Sequence, residues 1–401
     1  MKVSLLIKRE PFDKIFEETL ASFLNDHFNI VYKIKWHKGG GNTYNKNSQI
    51  WYCNPVINSI FVKGANYKIF GSIIGEYYYN PFKPWRNLFQ KGFFNLSISK
   101  YFASYLTNNF IEISPAINNA KNILIIGGNN KIRLIDYNNK LVYVILKAGF
   151  DSKYLKREIF IKDKYKYMPT PQYQSFHHHH TWYSEEYICG IGIDRIKEKK
   201  RRTVLKEVIY FMNRMIKESI IELSLSEYCN KLNSRIDKNL KKISLLSLET
   251  KNEILSVIKQ LNSLFVDYNK KIYLCQSHGD FQEGNIIYDG KKVWIIDWEY
   301  TRTRQISYDL LVLLLKPRNI INYHTRFIDF KNNIRSKEQK WIINQWYNKK
   351  SNNIGDTDLL LFIIEELDFF IEQNNNNKFT RSYPDENIFI GHIKNLVEHI
   401  Q

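Results

Sequence analysis

The sequence predicts an α+β chain whose strand-rich first half precedes a helical second half carrying one polar hairpin. Three observations predict it. Residues 122–148 alternate short apolar runs with turn residues, as antiparallel strands do. From Gly190 onward, apolar residues recur at helical spacing over long stretches. Among those helices a polar loop, Ser277-His278-Gly279-Asp280-Phe281-Gln282-Glu283-Gly284-Asn285, leads into a strand over 285–288. That strand turns at Asp289-Gly290 and returns through apolar residues 293–296 to Asp297.

Size and composition bound the rest. With 401 residues, 44% hydrophobic and 15% aromatic, the chain has room for two or three packed units. No apolar run reaches the ~18–20 residues of a membrane span. Residues 1–9 have a basic start and a brief apolar segment before Glu10 and Pro11, and read as a strand rather than a signal peptide. The four cysteines are scattered without ligand spacing, which suggests neither a disulfide framework nor a zinc site; a cytoplasmic protein is expected. The net charge of +19 fits a Lys-, Asn- and Ile-rich composition, or attraction to a nucleotide, an anionic membrane surface or an acidic glycan. Nucleic acid is not expected, because no recognition motif accompanies the charge.

In chain order, residues 12–28 read as an amphipathic helix with Ile15, Leu20, Phe23 and Leu24 on one side. The glycines of residues 36–42 form a plain loop, lacking the strand-to-helix context of a phosphate cradle. Residues 49–56 and 60–63 read as strands, and 84–106 as mostly helical. A meander follows: strands at 122–126, 131–136 and 141–148, with turns at 127–130 and 137–140. Residues 168–171, Met-Pro-Thr-Pro, cannot continue a helix. Strands at 172–176 and 181–188 flank His177 to His180, a turn in which alternation lets at most two histidines converge on a metal. The basic run 199–202 opens a helix over 203–223. Further helices are expected at 249–268, 309–316, 337–347, 357–372 and 387–400, all amphipathic.

The hairpin gathers Asp280, Asn285 and Asp297 at one end. A carboxylate able to accept a hydroxyl proton, with an amide oxygen and a second carboxylate able to hold Mg²⁺, suits phosphoryl transfer, which is mostly positioning and charge neutralisation. His278-Gly279-Asp280 with Asn285, followed by Ile296-Asp297-Trp298-Glu299-Tyr300, resembles the aminoglycoside phosphotransferase and choline/ethanolamine kinase superfamily. The Gln282-Glu283-Gly284-Asn285 and Asp-Trp-Glu-Tyr details look more like the choline-kinase side. The resemblance implies Asp280 as catalytic base, Asn285 and Asp297 as metal ligands, His278 as a brace of the loop, and Asp309 as its buttress from the following helix. It covers only part of the C-terminal half.

It also implies a two-lobed, protein-kinase-like fold. Residues 116–190 would be the small lobe with its hinge, 191–401 the helical lobe, and 1–115 an accessory module for substrate or partner docking. In that frame Gly127 and Gly128 lie over the nucleotide phosphates. Lys147, closing an apolar strand, needs a partner, and Glu158 of the next helix is the expected carboxylate. Backbone groups of Glu186, Tyr187 and Ile188 would meet adenine.

The expected activity is transfer of the γ-phosphate of ATP, with Mg²⁺, to a hydroxyl of a small molecule, sugar or glycan. Choline or ethanolamine is an alternative acceptor. Trp298, Tyr300, Trp341, Trp346 and Tyr347 could cage a quaternary ammonium, although aromatics beside helices are more often core. Arg302 and Arg304 would repel such a cation, and an aminoglycoside too, and would favour an anionic acceptor. The rival from another class is a nucleotide-binding pseudokinase scaffold.

Overall fold

The computed structural model describes residues 3–39, 47–55, 57–71, 84–177, 179–243, 246–319, 321–347 and 354–374, with the isolated positions 73 and 391. Residues 40–42 of the glycine loop at 36–42, one of the four histidines (His178) and nearly all of the helix expected at 387–400 lie outside these residues. The chain divides into two compact units. The first comprises 1–162, 170–196 and 287–294, the second 163–169, 197–286 and 295–401. The α+β class expected from the sequence is the class observed.

In the first unit, Val3–Arg9 is a helix (α1), not the strand expected there. Its short apolar run fits both periodicities, and packing decides: Val3 and Leu6, one turn apart, are both buried. Helix α2 (Phe12–Phe28) falls where the 3.6-residue pattern puts it, burying Phe12, Ile15, Phe16, Leu20, Phe23 and Leu24. Asn29, in the left-handed region at φ +53°, ends it.

The strands β1 (Lys33–Lys38), β2 (Gln49–Asn54), β3 (Ser59–Val62), β4 (Asn109–Ser114), β5 (Ile123–Gly127), β6 (Lys131–Asp136), β7 (Leu141–Leu146), β8 (Tyr173–Phe176) and β9 (Trp182–Glu186) form one sheet. Its order is β1-β4-β2-β3-β5-β6-β7-β9-β8, and its pairings are antiparallel. Position 115 falls inside this continuous sheet, since β3 meets β5 through Ile60 and Ile125. The meander β5–β6–β7 matches the expected turns. Two helices accompany the sheet, α3 (Pro84–Ile98) and α4 (Lys153–Lys164).

Strand alternation gives the sheet two chemically different faces. Ile123, Ile125, Ile132, Leu134 and Ile145 share one core with Val3, Leu6, Phe12 and Phe16 of α1 and α2. Lys131 and Arg133, the alternate residues of β6, belong to the opposite face.

The second unit is mainly helical: α5 (Glu198–Ser219), α6 (Leu225–Lys242), α7 (Leu248–Ser263), α8 (Tyr308–Leu315), α9 (Tyr323–Lys331), α10 (Lys337–Trp346) and α11 (Asp356–Asn374). A small sheet that periodicity does not announce, β11 (Ile221–Ser224), β12 (Lys271–Ser277) and β15 (Arg302–Gln305), has β12 at its centre. Between β12 and β15 run the polar loop and then the hairpin β13 (Ile286–Tyr288) and β14 (Val293–Ile295), whose residues 287–294 belong to the first unit, as does the two-residue β10 (Ile191–Gly192) that pairs with β13. Helix α11 is not amphipathic as expected. Residues 359–372 are buried on every side, four acids included.

Candidate functional site

Strand β12 delivers the chain into residues 278–285, and backbone bonds fix the path. Asp309, in the first turn of α8, accepts the N–H of His278 at 2.6 Å and that of Gly279 at 3.0 Å. Asp309 is buried, and burial pushes its carboxyl above the ordinary range against these bonds and the charges around it. Gly279 has φ +87°, and a Cβ there would lie 2.2 Å from the carbonyl oxygen of Tyr300, so only glycine fits.

His278 is fully buried between Trp298 (ring centroids 4.4 Å apart) and Phe281 (5.7 Å). Its Nδ1 accepts the N–H of Asp280 at 3.2 Å, so the ring proton sits on Nε2, which donates to the carbonyl of Ile296 at 2.9 Å. The His278 end of the loop is thereby tied to the strand that leads to Asp297.

Three donors surround the carboxylate of Asp280. Gln282 Nε2 reaches Oδ2 at 3.0 Å, Asn285 Nδ2 reaches it at 3.3 Å, and Arg318 Nε reaches Oδ1 at 2.9 Å. Asn285 also gives Nδ2 to the carbonyl of Asp280 at 2.8 Å. With its amide hydrogens so engaged, Oδ1 is the atom Asn285 has for a cation. Ile296 N–H donates to the carbonyl of Asn285 at 3.0 Å, so Asp297 directly follows a residue bonded to Asn285. Asp297 lies in the left-handed region, φ +65°. The structure thus brings together His278, Asp280, Asn285 and Asp309, and sets Asp297 on the neighbouring strand end.

Arg318 is the residue that sequence reasoning misses. It follows α8, stacks on the Phe369 ring at 3.6 Å, and its Nη1 pairs with Glu366 while its Nε holds Asp280. Glu366 also accepts from the Tyr308 hydroxyl at 2.6 Å. The available signal was in α11. Four acids inside an otherwise apolar run, Glu365, Glu366, Asp368 and Glu372, have to find partners when buried.

Arg302 and Arg304, expected on the acceptor side, are two of those partners or lie among them. Arg302 donates to Asp368 and pairs with Glu372. Arg304 is fully buried, donating to Ser277 Oγ at 2.7 Å and to the carbonyl of Tyr300 at 3.0 Å, over the Tyr308 ring. Both sit on β15, and buried acids and carbonyls claim them. Burial alone would raise the Asp368 carboxyl, yet the charges of Arg302 and Arg235 hold it below the ordinary range. Trp298 and Tyr300 are buried too, Trp298 donating to the carbonyl of Ile295 and Tyr300 packing on Phe369 at 4.6 Å.

In the first unit, the expected Lys147–Glu158 pair does not form. Lys147 is fully buried; its Nζ pairs with Glu10 and donates to the carbonyl of Asn129 at 2.8 Å, beside the Phe12 ring. Glu158 takes Lys131 instead, Nζ to Oε1 at 2.7 Å, and its other oxygen accepts the Tyr183 hydroxyl at 2.8 Å. The reason is the alternation of the sheet, which turns Lys147 towards α1 and α2 and Lys131 towards α4.

Gly127 packs under α1 and α2, where a Cβ would meet Leu6 at 3.0 Å and Phe12 at 3.2 Å. A Cβ on Gly128 would strike the carbonyl of Lys131 at 2.8 Å. Of the residues expected to offer backbone groups to adenine, Glu186 and Tyr187 spend their N–H groups on the carbonyls of Gln172 and Lys140. Ile188 is the one whose N–H makes no such bond among the described residues.

Among the described residues no group of three or more His, Cys, Asp or Glu could hold a metal ion. The Asn285 and Asp297 oxygens are the donor type Mg²⁺ takes, and such a site needs only one or two protein ligands besides phosphate and water. The locked Asn285 amide fits that use. No helix among the described residues is long and apolar enough to cross a membrane.

No protein-family model matches the chain, and no curated protein does. Among solved structures it is similar to a choline/ethanolamine kinase family protein from Mesorhizobium loti, at 13% identity over 78% of this chain and 94% of that one, TM-score 0.44. It is similar to a choline kinase from Streptococcus pneumoniae, at 13% identity over 71% and 92%, TM-score 0.43. A thermostable mutant of the aminoglycoside phosphotransferase APH(4)-Ia gives 10% identity over 69% and 94%, TM-score 0.46. With TM-scores under 0.5, these likenesses carry no inference about function; the geometry around Asp280 does.

Proposed function

We propose that this chain is an ATP- and Mg²⁺-dependent phosphotransferase that phosphorylates a hydroxyl of a small molecule. The observation that supports it is the Asp280 carboxylate, oriented by Arg318, Gln282 and Asn285 on a loop pinned by Asp309. A carboxylate so oriented can accept the acceptor's hydroxyl proton at a free oxygen lone pair as the hydroxyl attacks the γ-phosphorus. Asn285 and Asp297 would hold Mg²⁺, which when bound neutralises phosphate charge. His278 contributes no proton; it ties the loop to the strand before Asp297.

With Arg302 and Arg304 buried among acids, the objection to a cationic acceptor falls. An amino alcohol, a sugar or glycan, and an aminoglycoside therefore form the arms of the test. Purified protein is incubated with Mg-ATP alone and with each class, and followed by ADP release and mass spectrometry of the acceptor. One class is expected to gain 80 Da of phosphoryl mass, an increment set by the chemistry of HPO₃ at about that value. Asp280→Asn should lower that turnover roughly 10²–10⁴-fold while leaving ADP binding nearly intact. Nucleotide binding without transfer to any class would mark a scaffold instead.

A further inference from the structure

We propose that Lys131, not Lys147, is the lysine that meets the nucleotide phosphates, with Glu158 as its positioning partner; this rests on the phosphotransferase reading above. Phosphoryl-transfer sites of this kind set a strand lysine against a helix carboxylate beside the phosphates. Of Lys131 and Lys147, the one that stands against a helix carboxylate is Lys131, 2.7 Å from Glu158, and both members of that pair are buried.

The two faces of the sheet separate the candidates. Lys147 shares its side with α1 and α2, where Phe12, Ile145 and Ile132 belong to one apolar core. A polyanion has no place in such a core. Both polar ends of Lys147 hold the glycine-rich turn: its Nζ bonds the carbonyl of Asn129, and its N–H bonds the carbonyl of Asn130 at 3.0 Å. Glu10 completes that arrangement, which makes Lys147 a structural anchor for the turn.

Lys131 leaves the same turn on the other side. Gly128, whose missing side chain admits the Lys131 carbonyl, allows the chain to enter β6 there. Arg133, two residues on, adds a second cation to that face of the strand. Glu158 is fixed from its other oxygen by Tyr183, so its hold on the Lys131 ammonium is directional. An ammonium has three donors and can keep Glu158 while turning another N–H to a phosphate oxygen.

The test compares ADP with adenosine, which lacks the phosphates, by titration calorimetry of the full chain. Wild type should bind Mg-ADP. Lys131→Met should weaken ADP roughly 10–100-fold, as loss of a charge-assisted contact does, and leave adenosine unchanged. Lys131→Arg should recover part of the loss. If a stranded Glu158 unfolds Lys131→Met, the double variant Lys131→Met/Glu158→Gln removes that charge and should show the same selective loss. The paired variant Lys147→Met/Glu10→Gln should keep the ADP-to-adenosine ratio of wild type. Unaltered ADP affinity in the Lys131 variants, or a selective ADP loss in the Lys147 pair, overturns the assignment while wild-type binding leaves the phosphotransferase reading standing. A wild-type protein that binds neither ADP nor ATP overturns both.

Discussion

The polar loop at 278–285 and the buried lysines of the sheet place charged groups by opposite means. Within the loop, bonds run between residues two to five apart, as from Asp280 to His278, Gln282 and Asn285, and an acid 31 residues beyond His278 and an arginine 38 beyond Asp280 tie it from later elements. In the sheet, Lys147 finds its acid 137 residues earlier, at Glu10, and Lys131 finds its own 27 residues later. A site built on local bonds carries its geometry in a short stretch of sequence. A site built on packed faces carries it in the alternation of strands and in whatever helix comes to cover them.

The contrast is broken or sharpened by substitution. The largest effect is expected from Glu10→Ala, which leaves Lys147 buried without its carboxylate; breaking a buried pair this way costs about 3–5 kcal/mol. Glu10→Ala/Lys147→Met should restore most of that in urea unfolding. If the single variant is as stable as wild type, Glu10 is not what keeps Lys147 in the core.

A smaller loss is expected in the loop. Asp309→Asn keeps the shape but offers one acceptor oxygen where two N–H groups point, so about 1–3 kcal/mol of stability should go. Turnover should fall with it, because Asp280 follows directly on the two residues released. Unfolding midpoints and turnover that both stay at wild-type values would mean that the loop holds itself without its long-range tie.

The smallest effect tests an acid of α11 that accepts neutral donors. Glu365 accepts the Tyr228 hydroxyl and the N–H of Gln305 on one oxygen, and burial pushes its carboxyl up to about 7. Its ordinary value is 4.5. Between those two values the unfolded chain gives up a proton that the folded chain keeps, so this group makes stability fall as pH rises through that window and level off above it. Glu365→Gln removes the slope. The gain at pH 8 is offset by an amide nitrogen placed where the second oxygen has no partner, leaving on the order of 1 kcal/mol. An unchanged stability-versus-pH curve would show that Glu365 is not the group responsible.

These differences explain what was legible. The helix at 12–28, the meander and the hairpin follow from periodicity and short spacing; His278 and Asp309 were singled out by the family resemblance, and the structure brings those two residues together. Residues 3–9 could not be read, because a run of that length fits strand and helix alike. Arg318 was invisible for another reason: nothing adjacent to Lys316-Pro317-Arg318 announces that Asp280 is its partner. Arg302 and Arg304 were placed on the acceptor side by their position just past Asp297, whereas the acids of α11 hold Arg302, and Ser277 with the Tyr300 carbonyl holds Arg304. The Lys147–Glu158 pairing failed on a parity that the strand pattern contained, since residues 131 and 147 leave the sheet on opposite sides.

The left-handed backbone at Asp297 has a consequence for how such a chain drifts. Few residue types occupy that conformation at low cost; glycine, asparagine and aspartate are the ones that do. Asparagine is one base change away from aspartate and would leave the turn after β14 undisturbed. The commonest tolerated replacement would therefore be the one that deletes the charge while preserving the shape. If Asp297 holds the metal as proposed, its loss would come without loss of folding, and a copy so altered would persist as an intact, silent relative.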